Sequence, residues 1–132
     1  MLALHRTTHC TLHALSSALA GENLTAAEIN ALANLADRGV LNVRELSAQT
    51  GTRATTLTGV LDRLENRGYV TRELDPADRR SFRLPLTEAG RAVAARVRAA
   101  VAGLERDALS GLSATQIAGF QAVITALQEA CS

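Results

Sequence analysis

Between residues 57 and 90 the hydrophobic period changes twice, and this restricts the fold more than any other feature of the chain. Leu57, Val60, Leu61 and Leu64 recur at i, i+3, i+4 and i+7, the buried stripe of an amphipathic helix. Gly68 supplies its stop. "YVTREL" and "SFRLPL" then alternate in character on either side of "DPAD", which reads as a hairpin. Pro85 cannot donate to a ladder, so the second strand is expected at a sheet edge. Thr87 caps a further helix, "EAGRAVAARV", in which Val93, Val97, Val101 and Leu104 recur every three or four positions. The fold class that follows is mainly α with one β-hairpin.

The rest of the chain is punctuated by caps. Residues 2–20 read as a helix with Leu2, Leu12, Leu15 and Leu19, closed by Gly21. Thr25 and Glu28 form a capping box for a helix carrying Ile29, Leu32, Ala33 and Leu35 that ends near Gly39. Asn42, with Glu45 three residues on, opens the short helix "VRELSAQT", which stops at Gly51; Thr52 is the expected cap of the helix that follows. Ser113 and Gln116 form another capping box, and the last helix places Ile117, Phe120, Ile124 and Leu127 on one stripe. There are no repeats, low-complexity tracts or linkers.

With no Trp, one Tyr and two Phe in 132 residues, the core must be built from many small aliphatic contacts, which favours helices. Such a length suits one domain, residues 1–132. Apolar stripes in the first and last helices exceed what one subunit can bury, so a homodimer is expected. The N-terminus lacks the pattern of a signal peptide, and no apolar run approaches the ~20 residues of a membrane span. The expectation is a soluble cytoplasmic protein with no membrane partner. No nucleophile–base–acid set and no Gly-rich phosphate loop occurs at recognisable spacing, which argues against an enzyme, and no cofactor is implied. All 14 basic side chains are Arg, and the net charge is only +1. Nine of the arginines lie between Arg44 and Arg91, alongside seven acidic residues, so any nucleic-acid signal depends on geometry and not on bulk charge.

Two short helices joined by a Gly-containing turn are a helix-turn-helix pattern, and the hairpin directly after the second helix makes it a winged one. "DPADRR" fits a wing tip: Pro76 presets the turn, Asp78 lies close enough to orient an arginine, and guanidinium groups suit phosphates and narrow minor grooves. From "LTAAEINALANLADRGVLNVRELSAQTG" through "TTLTGVLDRLENRGYVTRELDPADRRSFRLPLTEAGR" the sequence resembles the MarR family of bacterial winged-helix repressors.

The resemblance implies a winged helix-turn-helix lobe over residues 24–91, with N- and C-terminal dimerisation helices over 1–21 and 92–132. It also implies a homodimer on a pseudo-palindromic double-stranded DNA operator. Carried over, Arg80 matches the wing arginine that enters the minor groove, Asp78 the aspartate that pairs with it, and Arg79 a basic phosphate-binding wing residue. Arg53, Ala54, Thr55, Thr56 and Thr58 match the base-reading start of the recognition helix. Threonines there can bond base edges or phosphate, and helix N-terminal amides attract phosphate. Arg63 has two readings, a DNA contact or an ion pair with Asp62, Glu65 or a wing acid. Arg67 has the same two. Arg72 and Arg83 flank the wing or face solvent.

Family members release DNA when a small lipophilic or phenolic effector binds, and others respond to thiol oxidation or metal. His5, His9 and His13, with Cys10, all lie in the first helix. His5 and His13 are about 12 Å apart along a straight helix, so the three cannot share one ion, and the leading reading is a polar face near the dimer seam with no metal. His9, Cys10, His13 and Cys131 remain ligand or redox candidates. In the redox alternative Cys10 and Cys131 form a peroxide-sensing pair, a reading weakened by the absence of bracing tyrosines. A further alternative is a winged helix that docks on protein without an operator; the polar first turn "TRATT" argues against it.

Overall fold

A computed structural model describes residues 2–130. Its elements are α1 (Leu2–Ala18), a single 3-10 turn (Ala20–Glu22), α2 (Ala26–Arg38), α3 (Val43–Thr50), α4 (Ala54–Asn66), β1 (Glu73–Leu74), β2 (Phe82–Arg83), α5 (Glu88–Leu109) and α6 (Ala114–Ala130). The expected fold class, mainly α with one β-hairpin, is the one observed. The chain divides into two compact units, one running to Val101 and one beginning at Ala102. No helix among the described residues is long and apolar enough to cross a membrane.

In the first unit α2 touches α1, α3 and α4, and α3 touches α4. The core holds Ile29, Leu32 and Leu35 of α2 and Leu57, Val60, Leu61 and Leu64 of α4, as the periodicity implies, together with Leu46 of α3, whereas Ala33 is only half-buried. Val70 and Leu84 join it from the hairpin, and Val93 and Val97 from α5. Each such side chain, fully buried, stabilises the fold by about 1.5–3 kcal/mol. The second unit holds the end of α5 and all of α6, which opens on the Ser113–Gln116 capping box and buries none of its residues.

Several local expectations need correction. α1 ends at Ala18, and Gly21 sits inside the 3-10 turn; the left-handed residue there is Asn23, at φ 51°. The N-cap of α4 is Arg53, not Thr52, and its side chain makes no capping bond. The Thr52 carbonyl is taken by the Ser47 hydroxyl at 2.7 Å and its N–H by the Thr50 hydroxyl at 3.2 Å, so that residue belongs to the turn.

The hairpin strands are two residues each, much shorter than the alternating segments, although the register is continuous. Val70 faces Leu86, Glu73 faces Arg83 and Leu74 faces Phe82. Thr71 N–H donates to the Pro85 carbonyl at 3.1 Å, but proline has no N–H to return the bond. At the other end Asp75 N–H donates to the Ser81 carbonyl, while Ser81 N–H is diverted to the Asp78 carbonyl at 2.9 Å. The ladder therefore closes fully only around Glu73 and Arg83. The sheet has two strands, so β2 is the edge expected of it, but its outer side is not bare: Leu84 N–H donates to the Leu41 carbonyl at 2.9 Å, and Asn42 bridges Arg83. The missing donor of Pro85 faces β1, while Leu84, one residue earlier, pairs on the opposite side.

Two contacts lock this unit. The first is at the exit from the wing. Thr87 Oγ1 donates to the Gly68 carbonyl and accepts from Gly90 N–H at 2.9 Å, and Thr87 N–H donates to the Tyr69 carbonyl at 3.0 Å. Gly90 packs so closely that a Cβ there would lie 1.8 Å from the Tyr69 carbonyl oxygen. The second is Glu28, 2% exposed. Its carboxylate accepts from Thr25 N–H at 2.7 Å, completing the capping box, and from Arg63 Nε at 3.0 Å. Burial pushes the Glu28 carboxyl up, but the Thr25 backbone and Arg63 outweigh it and hold the group below its ordinary value of 4.5.

These contacts generate two expectations. Gly90→Ala should lower stability by about 2–3 kcal/mol in urea denaturation, because neither backbone can yield without moving α5 or the end of α4. Glu28 has a folded-state pKa below its unfolded value, so its contribution is complete above the unfolded value and fades as pH falls through the folded one. Glu28→Gln should therefore cost about 1–2 kcal/mol at neutral pH, with the gap to wild type closing as the buffer is taken below pH 4.5.

Candidate nucleic-acid interface

α4 buries one face and presents the other from its first turn. Leu57, Val60, Leu61 and Leu64 point inward, whereas Arg53, Ala54, Thr55, Thr56 and Thr58 are all exposed. Thr58 Oγ1 donates to the Ala54 carbonyl at 2.9 Å, which leaves its lone pairs outward. The far end of α4 is fixed by a left-handed Gly68, with Gly68 N–H on the Glu65 carbonyl at 2.8 Å and Tyr69 N–H on the Leu64 carbonyl at 2.9 Å.

The wing tip is built by its aspartates. Asp75 Oδ1 accepts from Ala77 N–H, and Asp78 Oδ1 from Arg80 N–H, each at 3.0 Å. Asp78 thus holds the backbone of Arg80 and not its guanidinium, the partner expected from the resemblance. Both Asx contacts stiffen the turn. Arg79 and Arg80 are exposed, and among the described residues neither has a carboxylate within ion-pair distance.

Carboxylates elsewhere in this unit hold other arginines. Arg63 pairs with Glu28, a partner 35 positions away that the sequence did not suggest. Arg72 pairs with Asp62, and with Glu65 at 3.5 Å, tying the start of β1 to α4. Arg83 lies 3.8 Å from Asp75, Arg98 lies 3.8 Å from Asp37, and Arg96 pairs with Glu22. Arg67 donates to the carbonyls of Glu22 and Asn23 and stacks 4.9 Å over the Tyr69 ring. Around α3, the start of α4 and the wing tip, Arg44, Arg53, Arg79 and Arg80 carry no such pairing.

A hollow of about 300 Å³ lies among these elements, lined by Val43, Arg44 and Ser47 of α3, Ala54 of α4, and Arg80, Ser81 and Phe82 of the wing. It brings the wing residue Arg80 and the helix residue Ala54 to one place. Arg44 and Phe82 were not singled out from the sequence. A signal existed for Phe82: it shares the strand face of buried Leu84 but lies beyond the lobe, and with its cross-strand neighbour Leu74 it stays exposed.

A second hollow, about 380 Å³, lies where α2 ends beside the wing exit and α5. Leu35, Val40, Leu86 and Ala94 line it, with Arg91 and Arg98. His9, Cys10 and His13 lie exposed along α1 beside Ala26, and Cys131 falls outside the described residues. Among the described residues no cluster of three or more His, Cys, Asp or Glu side chains is placed to hold a metal.

The MarR family profile matches residues 24–82. The uncharacterized HTH-type transcriptional regulator YcgE of Bacillus subtilis (strain 168) is 44% identical over 54 residues, 40% of this chain and 35% of that protein. The chain thus spans about a third of that relative's length. Among solved structures, CouR of Rhodococcus jostii RHA1 bound to p-coumaroyl-CoA is 27% identical with a TM-score of 0.86, covering 96% of this chain and 89% of that one. A probable transcriptional regulator of Pseudomonas aeruginosa is 29% identical with a TM-score of 0.75, covering 95% and 93%. The MarR family profile thus covers the stretch that carries α2, α3, α4 and the first part of the wing, and the solved structures share the fold over nearly the whole chain.

Proposed function

We propose that the protein is a sequence-specific double-stranded DNA-binding regulator, a homodimeric repressor released by a small lipophilic or phenolic effector. The observation that carries this reading is the shared hollow: unpaired Arg80 at a stiffened wing tip and the exposed first turn of α4 line the same space. A duplex laid against that surface meets α4 in its major groove and the wing in its adjacent minor groove. Arg53, Thr55, Thr56 and Thr58 would read or position the first groove. Arg80 would enter the second, with Arg79 on phosphate and Asp78 holding the turn. Arg63 is engaged by Glu28 but half exposed, so it serves chiefly to fix the angle at which α4 is presented.

Two further elements support the reading. Phe120 and Val123 of α6 are 60% and 57% exposed, an apolar face that suits burial against a second copy. The hollow beside α5 combines an aliphatic wall with two guanidinium groups, which suits an apolar body with an anionic end, and CouR holds p-coumaroyl-CoA. Such an effector relieves repression only if it favours the DNA-incompetent state over the competent one.

On duplexes selected from genomic fragments of the host, Arg80→Ala should weaken specific binding by about 1–3 kcal/mol in an anisotropy titration at fixed salt; unchanged affinity would remove the wing from the mechanism. Sedimentation at micromolar concentration should give a dimer, and a monomer there would refute the assignment of α6 to self-association.

A further inference from the structure

The hollow between α3, the start of α4 and the wing tip contains groups that neither groove reader uses. It is an open depression of about 300 Å³ between the three elements. No carboxylate lines it. Arg44, in the first turn of α3, has no ion-pair partner among the described residues. Its neighbour Glu45 is turned back onto the Asn42 N–H at 2.8 Å, closing a capping box, and leaves Arg44 unneutralised. Asn42 in turn bridges Arg83 of β2, so the backbone carrying Arg44 is fastened to the wing. On the wing side stands Phe82 of β2, 43% exposed, which lines the hollow with its aromatic ring.

Any strand of a duplex that passes from the groove facing α4 to the groove facing the wing must cross the gap between them. We propose that this hollow seats one sugar–phosphate strand, with Arg44 on its phosphate and Phe82, backed by Val43, against its deoxyribose. The assignment rests on the DNA-binding reading above and adds two positioning residues to it. Arg44 supplies affinity without sequence information, since phosphate contacts set register and not specificity. Phe82 supplies apolar contact to the sugar. The Ser47 hydroxyl, already donated to the Thr52 carbonyl, holds the α3–α4 turn at the floor of the seat.

The test uses the full chain and two probes, a random-sequence duplex of about 30 bp, long enough for two half-sites one helical turn apart, and the tightest duplex selected from that pool. Arg44→Ala should weaken both by a similar factor, on the order of ten-fold. It should also reduce the slope of log K against log salt by about 0.9 per subunit. Arg44→Lys should restore the slope. Phe82→Ala should weaken both probes several-fold with the slope unchanged. Arg44 and Phe82 are exposed, so wild-type melting temperatures will accompany these variants. If Arg44→Ala leaves affinity and slope as in wild type while Arg80→Ala weakens binding, the seat is refuted and the winged-helix reading stands. A loss confined to the selected duplex would make Arg44 a base reader and also overturn the seat. Failure of the wild-type protein to bind either probe would refute the DNA-binding reading itself.

Discussion

The main chain of Tyr69 is the point on which the placement of α4, the wing and α5 depends. Its N–H closes the end of α4 on Leu64, its carbonyl receives Thr87 at the entry to α5, and Gly90 lies against that carbonyl at a distance that admits no side chain. α4, the wing and α5 are therefore all fastened at one residue. A hairpin of two-residue strands has little cohesion of its own. It is stiff because its base is held here on one side and by Leu41 and Asn42 on the other. The hollow beside Arg91 and Arg98 lies along the same α5.

Local rules were legible in the sequence, and pairings between distant positions were not. The boxes Thr25–Glu28, Asn42–Glu45 and Ser113–Gln116 form as the spacing dictates, because all their partners lie within one turn. The α4 stripe is buried as periodicity requires. The strands are shorter than the alternating segments because alternation records which face a side chain takes, whereas a ladder also needs donors, and Pro85 and Ser81 withhold two of them. From sequence, Arg63 has Asp62, Glu65 or a wing acid as candidate ion-pair partners, or a DNA contact. Its partner Glu28 comes from α2, and only the packing of α2 on α4 brings the two together. Asp78 was expected to hold a guanidinium; an Asx turn to the nearer backbone N–H takes its oxygen instead.

Net charge conceals how the arginines are distributed by function. A chain of charge +1 looks poorly suited to a polyanion, yet its carboxylates are not spread evenly over its cations. Glu22, Glu28, Asp37, Asp62, Glu65 and Asp75 are spent on Arg96, Arg63, Arg98, Arg72 and Arg83. These pairs brace the scaffold and largely cancel at long range. Glu45 and Asp78 bind backbone N–H groups and form no ion pair with an arginine among the described residues. What remains at that end of the molecule is Arg44, Arg53, Arg79 and Arg80. A small local excess of this kind favours a duplex only when it arrives in one orientation, since elsewhere the surface offers paired charge. On the function proposed above, low net charge would favour selectivity: non-specific binding scales with the phosphates neutralised, and few would be neutralised unless helix, wing and the gap between them engaged together.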